Sequence, residues 1–203
     1  MATPFGATAV AVRVKDGVVL AADRRMSYGG FIVSKNIKKI YKISDRIAIA
    51  ITGLYGDMSG IMRILDVEVR YYEISSERPM SLQAVAKLFS NLLYSYRVMP
   101  LYVEALVGGI DLDGKPKIYV LDPVGALTEE DYAAAGSGAT IALGVIESSY
   151  KPDLSLDEAE KLVENAMKAA ISRDAGSGDA IDIVRVTREG ISERTVKLRV
   201  VGA

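Results

Sequence analysis

The chain contains no cysteine and no histidine. Without cysteine there are no disulfides, no thiolate nucleophile and no sulfur-ligated metal. Without histidine, serine–histidine and cysteine–histidine catalysis are excluded, together with most zinc sites. Any hydrolytic base must then be a lysine, a carboxylate or a free α-amine. An α-amine has an unperturbed pKa of about 7.7–8.0 and can act near neutrality; a threonine activated by its own N-terminal amine is a known pairing. An excess of charge of one sign is also missing. Lys plus Arg number 25 and Asp plus Glu 26, a formal charge of −1, so nothing advertises a nucleic-acid or membrane partner. The uncharged run 132–146 is shorter than the roughly 18 residues of a spanning helix. The opening MATPFGATAV lacks a basic start and an apolar core, so no signal peptide is expected and the expected location is cytoplasmic.

What is present is a folding sequence of 203 residues, 50% hydrophobic and 25% charged, long enough to bury a substantial core. Apolar, β-branched runs at 8–14 and 18–23 flank Lys15-Asp16-Gly17, a hairpin signal. A further strand is expected at 46–52. Three- and four-residue spacing of Ile61, Ile64, Leu65, Val69 and Tyr72 predicts a helix from 56 to about 72, ended by Glu77-Arg78-Pro79. Ser81 is the expected N-cap of a second helix carrying Leu82, Val85, Leu88, Phe89, Leu92 and Leu93. Strands are expected at 102–110, 117–121 and 132–135. Helices follow at 140–148 and from 156 to about 173, the latter opened by a Ser155-x-x-Glu158 capping box. Strands at 180–186 and 195–200 close the chain. Strand runs separated by helix pairs predict two stacked sheets flanked by helices.

Taken singly, the motifs are ordinary. Gly136-Ser137-Gly138 lies between a strand and a helix, the setting of a dinucleotide loop. The third glycine of that fingerprint would fall at Ile141 and its acidic residue near Asp157, inside a helix start, so a tight turn is the better reading. Lys35, Lys38 and Lys39 read as a solvated face. Asp23, Arg25 and Asp174 read as surface ion-pair material, and the 173–178 segment as a glycine-capped helix end.

Together and in order they form a pattern. The blocks are Lys15-Asp16-Gly17-Val18-Val19-Leu20-Ala21-Ala22-Asp23-Arg24-Arg25, Ser34-Lys35, Lys38-Lys39-Ile40-Tyr41, Gly53-x-x-Gly56-Asp57, Gly108-Gly109-Ile110-Asp111, Leu121-Asp122-Pro123-x-Gly125, Ala135-Gly136-Ser137-Gly138 and Arg173-Asp174-x-x-Ser177-Gly178-Asp179. From about residue 6 to residue 187 the chain resembles proteasome β subunits, most closely the archaeal type. The resemblance implies an α+β, four-layer αββα sandwich of the N-terminal-nucleophile hydrolase type. It also implies a seven-membered β ring, stacked on another β ring and capped by α rings, degrading proteins by threonine-type endopeptidase chemistry without cofactor or metal.

The resemblance also assigns the site. Asp23 would hold Lys39, which lowers the pKa of the nucleophilic hydroxyl; Gly53 would give the oxyanion contact; Ser137, Asp174 and Ser177 would orient the N-terminus, with Arg25 in support. Met26, Ile51 and Tyr55 match pocket-lining positions. The nucleophile slot falls on Ala7, preceded by Gly6. A methyl group neither attacks a carbonyl nor performs the acyl shift that frees a propeptide. Residues 1–6 are therefore expected to form a propeptide-like segment, with 2–6 retained, ahead of a β-subunit domain at 7–203. The expected role is structural, beside a second, catalytically competent β subunit. The alternative is an active threonine endopeptidase processed to begin at Thr8. Strand alternation turns position 8 away from Lys39, and a one-residue slip would invert Val10, Val12 and Val14. Ala11, where the family usually has glycine, is a further departure near the site that counts against Thr8. Ala9 also departs from the family's Thr-Thr-Thr opening, which favours a natural paralogue over a single engineered replacement.

Overall fold

The computed structural model describes residues 5–198. Seven strands open the chain: β1 (Phe5–Gly6), β2 (Thr8–Val14), β3 (Gly17–Asp23), β4 (Met26–Tyr28), β5 (Phe31–Ser34), β6 (Ile40–Ser44) and β7 (Ile47–Gly53). Helices α1 (Tyr55–Ser76) and α2 (Leu82–Ser95) precede β8 (Val103–Ile110), β9 (Pro116–Leu121), β10 (Leu127–Glu130) and β11 (Tyr132–Gly136). Helices α3 (Ala139–Ser149) and α4 (Leu156–Ile171) then lead to β12 (Ala180–Thr187) and β13 (Gly190–Lys197). The expected alternation of strand runs and helix pairs is present.

Two five-stranded sheets carry the fold, one ordered β11-β2-β3-β12-β13 and the other β10-β9-β8-β7-β6. All pairings are antiparallel. The sequence dictates the layering through the two-residue period of a strand. On β7, Ile47, Ile49 and Ile51 pack with Met58, Ile61 and Leu65 of α1 and Phe89 and Leu93 of α2. On β2, Val10, Val12 and Val14 pack with Leu162, Val163, Ala166 and Ala170 of α4. The opposite faces of the same strands are small: Ala9 and Ala11 meet Ala48 and Ala50 between the sheets. A Cβ on Gly108 would stand 2.9 Å from the Val18 side chain. On β2 and β7 the bulky residues thus face the helices and the small ones face the other sheet, while Val18, Leu20, Leu106 and Ile118 fill the rest of the space between the sheets. This is the α+β, four-layer αββα sandwich. Each fully buried Leu, Ile or Phe contributes roughly 1.5–3 kcal/mol to holding the layers together.

Helix ends follow their local chemistry. The Ser81 hydroxyl accepts the Ala84 N–H, and Ser155 with Glu158 forms the capping box. Helix α1 runs further than its periodicity indicated and stops at Glu77, which adopts φ 54°. Strands β1, β4, β5, β6 and β10 were not anticipated. The last strand lies at Gly190–Lys197 rather than at 195–200; positions 199 and 200 lie outside the described residues. Strand β13 is an edge, mostly exposed from Ser192 to Thr195, so solvent rather than packing sets its composition and the apolar period that marks a strand is lost. Among the described residues no helix is long and apolar enough to cross a membrane.

Candidate active site

The site gathers where β2 begins, β3 ends and the α4–β12 loop returns to the sheet. Asp23, the last residue of β3, is 1% exposed, and both of its oxygens are fully engaged. Oδ1 accepts the Lys39 ammonium at 2.7 Å and the Thr8 N–H at 2.9 Å; Oδ2 accepts the N–H groups of Arg25 at 2.9 Å and Gly178 at 3.0 Å. Four donors around one buried carboxylate meet the requirement that buried charge be paired and hydrogen-bonded. Lys39 is 3% exposed. Its carbonyl accepts the Ile51 N–H at 2.9 Å, so β7 fixes its backbone. Burial holds the Lys39 ammonium below the usual lysine range, against the attraction of Asp23 and, more weakly, Asp174; Arg25 pushes the same way as burial.

A second polar chain runs beside the first. The Ala7 N–H donates to Ser137 Oγ at 3.1 Å, and the Ser137 hydroxyl donates to Asp174 Oδ2 at 2.6 Å. The Ser177 hydroxyl donates to the same oxygen at 2.6 Å. A hydroxyl has one proton to give; with that of Ser177 committed to Asp174, the Thr8 hydroxyl is the donor in its 2.7 Å contact with Ser177 Oγ. Thr8 is 0% exposed and shares the helix-facing side of β2 with Val10, Val12 and Val14. Ala7 is the residue just ahead of β2, and the alternation of the strand assigns its side chain to the face of Ala9 and Ala11, toward the second sheet, whose β6 follows directly on Lys39.

The glycines here are steric requirements. A Cβ on Gly138 would lie 2.1 Å from Thr8 Oγ1, and one on Gly136 (φ +88°) 2.2 Å from the Ala7 carbonyl oxygen. Gly136-Ser137-Gly138 is therefore a close-packed strand-to-helix turn against the start of β2. The Gly136 N–H donates to Glu104 Oε2 at 2.8 Å, tying the β11 end to β8 of the other sheet.

A cavity of about 40 Å³ opens beside Lys39 and is lined by Met26, Gly53, Tyr55 and Met58, with Gly6 at its edge. Gly53 has φ +128°, and a Cβ there would fall 1.8 Å from the Tyr102 carbonyl oxygen. Of the three expected lining residues, Met26 and Tyr55 are on the wall and Ile51 is not. Ile51 is 0% exposed in the core beneath α1, because the strand period puts it on the helix face with Ile47 and Ile49. Its contribution to the site is the backbone bond to Lys39. Sequence reasoning also passed over Asp179, which adopts φ 70° and pairs with Arg25 at 2.9 Å. Arg25 Nη1 donates further to the Ala175 carbonyl at 3.0 Å, and a Cβ on Gly178 would meet the Arg25 guanidinium at 2.4 Å. The signal for that clamp was the adjacency of Asp179 to Ser177-Gly178. Among the described residues no three His, Cys, Asp or Glu side chains are placed to share a metal ion.

An αββα sandwich whose β2 strand starts between a buried Lys–Asp pair and a Ser–Asp–Ser relay belongs to the N-terminal-nucleophile hydrolase class. The family model described as "Proteasome subunit" matches residues 4–186, and the chain belongs to the proteasome subunit family. It is 52% identical to "Proteasome subunit beta 1" of Hyperthermus butylicus over 184 residues, which cover 91% of this chain and 90% of that one. It is 50% identical to "Proteasome subunit beta 1" of Ignicoccus hospitalis over 194 residues, covering 95% and 97%. With "Proteasome subunit beta 2" of Pyrobaculum calidifontis it shares 47% identity over 196 residues, covering 97% and 96%.

Proposed function

We propose that this chain is a structural β subunit of the 20S proteasome core particle that carries a complete site apart from its nucleophile. It would sit in a seven-membered β ring under an α ring, in a cytoplasmic particle, and a second β subunit would perform the proteolysis. In the threonine mechanism a residue at the head of β2 supplies both parts of the chemistry: its hydroxyl attacks, and its free amine takes the proton. Lys39 would stabilise the deprotonating oxygen and the Gly53 amide the oxyanion. Ala7 has no hydroxyl, and its nitrogen is an amide bonded to Gly6, so nucleophile and base are missing together. The same missing hydroxyl leaves the bond after Gly6 without an internal cleaving group, and residues 2–6 stay attached.

One observation carries this reading: it is the N–H of residue 7 that meets Ser137, while the hydroxyl of Thr8 points away and is spent on Ser177. The alternative nucleophile, Thr8, would need that buried hydroxyl to leave its partner, and its N–H to leave Asp23. The test is the intact mass of the chain recovered from assembled particles after exposure to an electrophilic proteasome inhibitor. The expected mass is that of the unprocessed chain without adduct. A chain beginning at Thr8, or one carrying the inhibitor, would sink the proposal.

A further inference from the structure

The start of β8 reaches both glycines that shape the site. On the Gly53 side, the Tyr102 carbonyl accepts the Leu54 N–H at 2.8 Å, and its oxygen is the atom that a Cβ on Gly53 would strike. Tyr102 is fixed in turn by Asp57 of α1, whose Oδ2 accepts its N–H at 2.9 Å. On the Gly136 side a side chain makes the contact. The two-residue period puts Glu104 on the face of β8 that turns Leu106 and Gly108 toward the other sheet. Glu104 is exposed at the end of that otherwise apolar row. Water alone would satisfy its carboxylate there, yet Oε2 is spent across the gap on the Gly136 N–H at 2.8 Å. Gly136 lies against the Ala7 carbonyl on one side, and a Cβ on it would stand 3.3 Å from Thr52 Cβ on the other. The next residue is Ser137, whose Oγ accepts the Ala7 N–H at 3.1 Å.

We propose that Glu104 is a positioning residue for the nitrogen of residue 7: by holding the Gly136 N–H it fixes the turn that presents Ser137 Oγ to that nitrogen. Ser137 has one proton, given to Asp174, so its oxygen receives the Ala7 N–H only in the orientation the turn imposes. A glycine at φ +88° has no side chain to lock it and many conformations to fall into, so the turn has to be held from outside. Glu104 supplies that hold from the other sheet, at the one residue that joins β11 to Ser137. The effect on hydrolysis rests on the reading that residue 7 is the nucleophile slot; the effect on the Ala7 N–H does not.

Hydrogen exchange resolved to single residues by electron-transfer fragmentation, on assembled particles, tests the hold in the otherwise unaltered chain. Glu104→Ala is expected to speed exchange of the Gly136 N–H at least about ten-fold, the size of a lost bond to a charged acceptor, and that of Ala7 with it. Thr8, held by Asp23, should not move. Glu104→Gln keeps an oxygen acceptor and is expected to restore both. Asp57→Ala, which loosens the same end of β8 at Tyr102, is expected to leave Ala7 as it was. Unchanged exchange at Ala7 in Glu104→Ala overturns the proposal. So do faster exchange spread equally over Thr8 and β12, a Gln chain as loose as the Ala chain, or an equal rise at Ala7 from Asp57→Ala. In Ala7→Thr particles, Glu104→Ala should lower kcat about ten- to hundred-fold while KM stays within about two-fold, again restored by Gln. A raised KM with kcat intact overturns positioning, since Glu104 would then be a substrate contact. Ala7→Thr particles that neither process nor hydrolyse overturn the reading of residue 7 alone, and the exchange result decides Glu104.

Discussion

Residues 7 and 8 are neighbours where β2 begins and stand in two different chemical regions. The region beyond residue 7 is charged: Lys39 and Asp23 face each other at 2.7 Å, 3% and 1% exposed. The region at residue 8 is a chain of hydroxyls ending on one carboxylate, Thr8 to Ser177 to Asp174. A buried ion pair is a poor way to gain stability, because desolvation of both charges offsets most of their attraction; a satisfied hydroxyl chain costs far less. The expensive region is nevertheless intact beside a methyl group. Its other bonds account for this. Asp23 also holds the N–H groups of Thr8, Arg25 and Gly178, and so pins the start of β2, the end of β3 and the approach to β12 at one point. In this subunit the pair that would serve catalysis is also a structural rivet, and the two duties can be separated by experiment.

The largest effect is expected from Ala7→Thr. It supplies hydroxyl and, after cleavage behind Gly6, amine, in a site whose remaining groups are positioned. Intact mass should fall by the N-terminal segment, and peptide hydrolysis by particles built with this subunit should rise by several orders of magnitude, up to ~10⁶-fold if the full nucleophilic contribution returns. Adding Lys39→Ala to that variant should abolish the gain. An unprocessed, inactive Ala7→Thr chain would mean that the charged region keeps only its structural duty.

Next is Lys39→Met in the unaltered background. Removing one partner of a buried pair typically costs 3–5 kcal/mol. Because three backbone donors stay on Asp23, the loss should be near the low end, about 3 kcal/mol, read by denaturant unfolding. Its pH dependence has a definite sign. The folded state holds the Lys39 pKa below its ordinary value, so between those two values the unfolded chain binds more protons and stability from this group rises with pH. The stability advantage of the unaltered chain over Lys39→Met should therefore widen as pH climbs through that window, and stop widening above the unfolded lysine value near 10.4. An advantage that narrows would show that Lys39 titrates the other way.

Much of this fold was legible because its central elements obey one period each. Strands β2 and β3 announce themselves by apolar, β-branched runs around Asp16-Gly17, with Ala and Val in alternation on β2, and α4 by Ser155 and Glu158. The same alternation places Ile51 with Ile47 and Ile49 under α1; matching it to a pocket position overrode what the strand itself said. Strands β4 and β5 were hidden because their exposed residues, Tyr28, Phe31 and Val33, are apolar, which erases the inside–outside contrast. Strand β10 ends in Glu129 and Glu130 at a sheet edge, exposed over Thr128–Glu130, and carries no apolar period. Strand β1 has no local signal, since its partner β4 lies more than twenty residues on. The site was illegible residue by residue: a lone Asp, Lys or Ser carries no chemistry until the fold converges them. It could be read only through the order of the glycine blocks, whose steric reason, room for Ala7, Thr8 and Gly6 to touch other backbones, appears in three dimensions.

The smallest effect, and the one that separates the two regions most cleanly, is expected from Thr8→Val. Valine keeps the volume and the β-branched shape that β2 requires but removes the donor to Ser177. Ser177 still donates to Asp174, and its oxygen loses one hydrogen bond in a place water does not reach. A buried acceptor left short costs about 1–2 kcal/mol, which should appear as a modest loss in denaturant unfolding. Peptide hydrolysis by the mixed particle should not change, nor should the intact mass of this chain. In the Ala7→Thr background the same substitution should leave most of the recovered activity, because the Thr8 N–H that binds Asp23 belongs to the backbone and survives. If Thr8→Val in the otherwise unaltered chain instead removed a fraction of the particle's hydrolysis, the hydroxyl at position 8 would have to reach the Lys39 side of the strand, and the alternation of Val10, Val12 and Val14 with Ala9 and Ala11 forbids that without moving β2 by one residue through both cores.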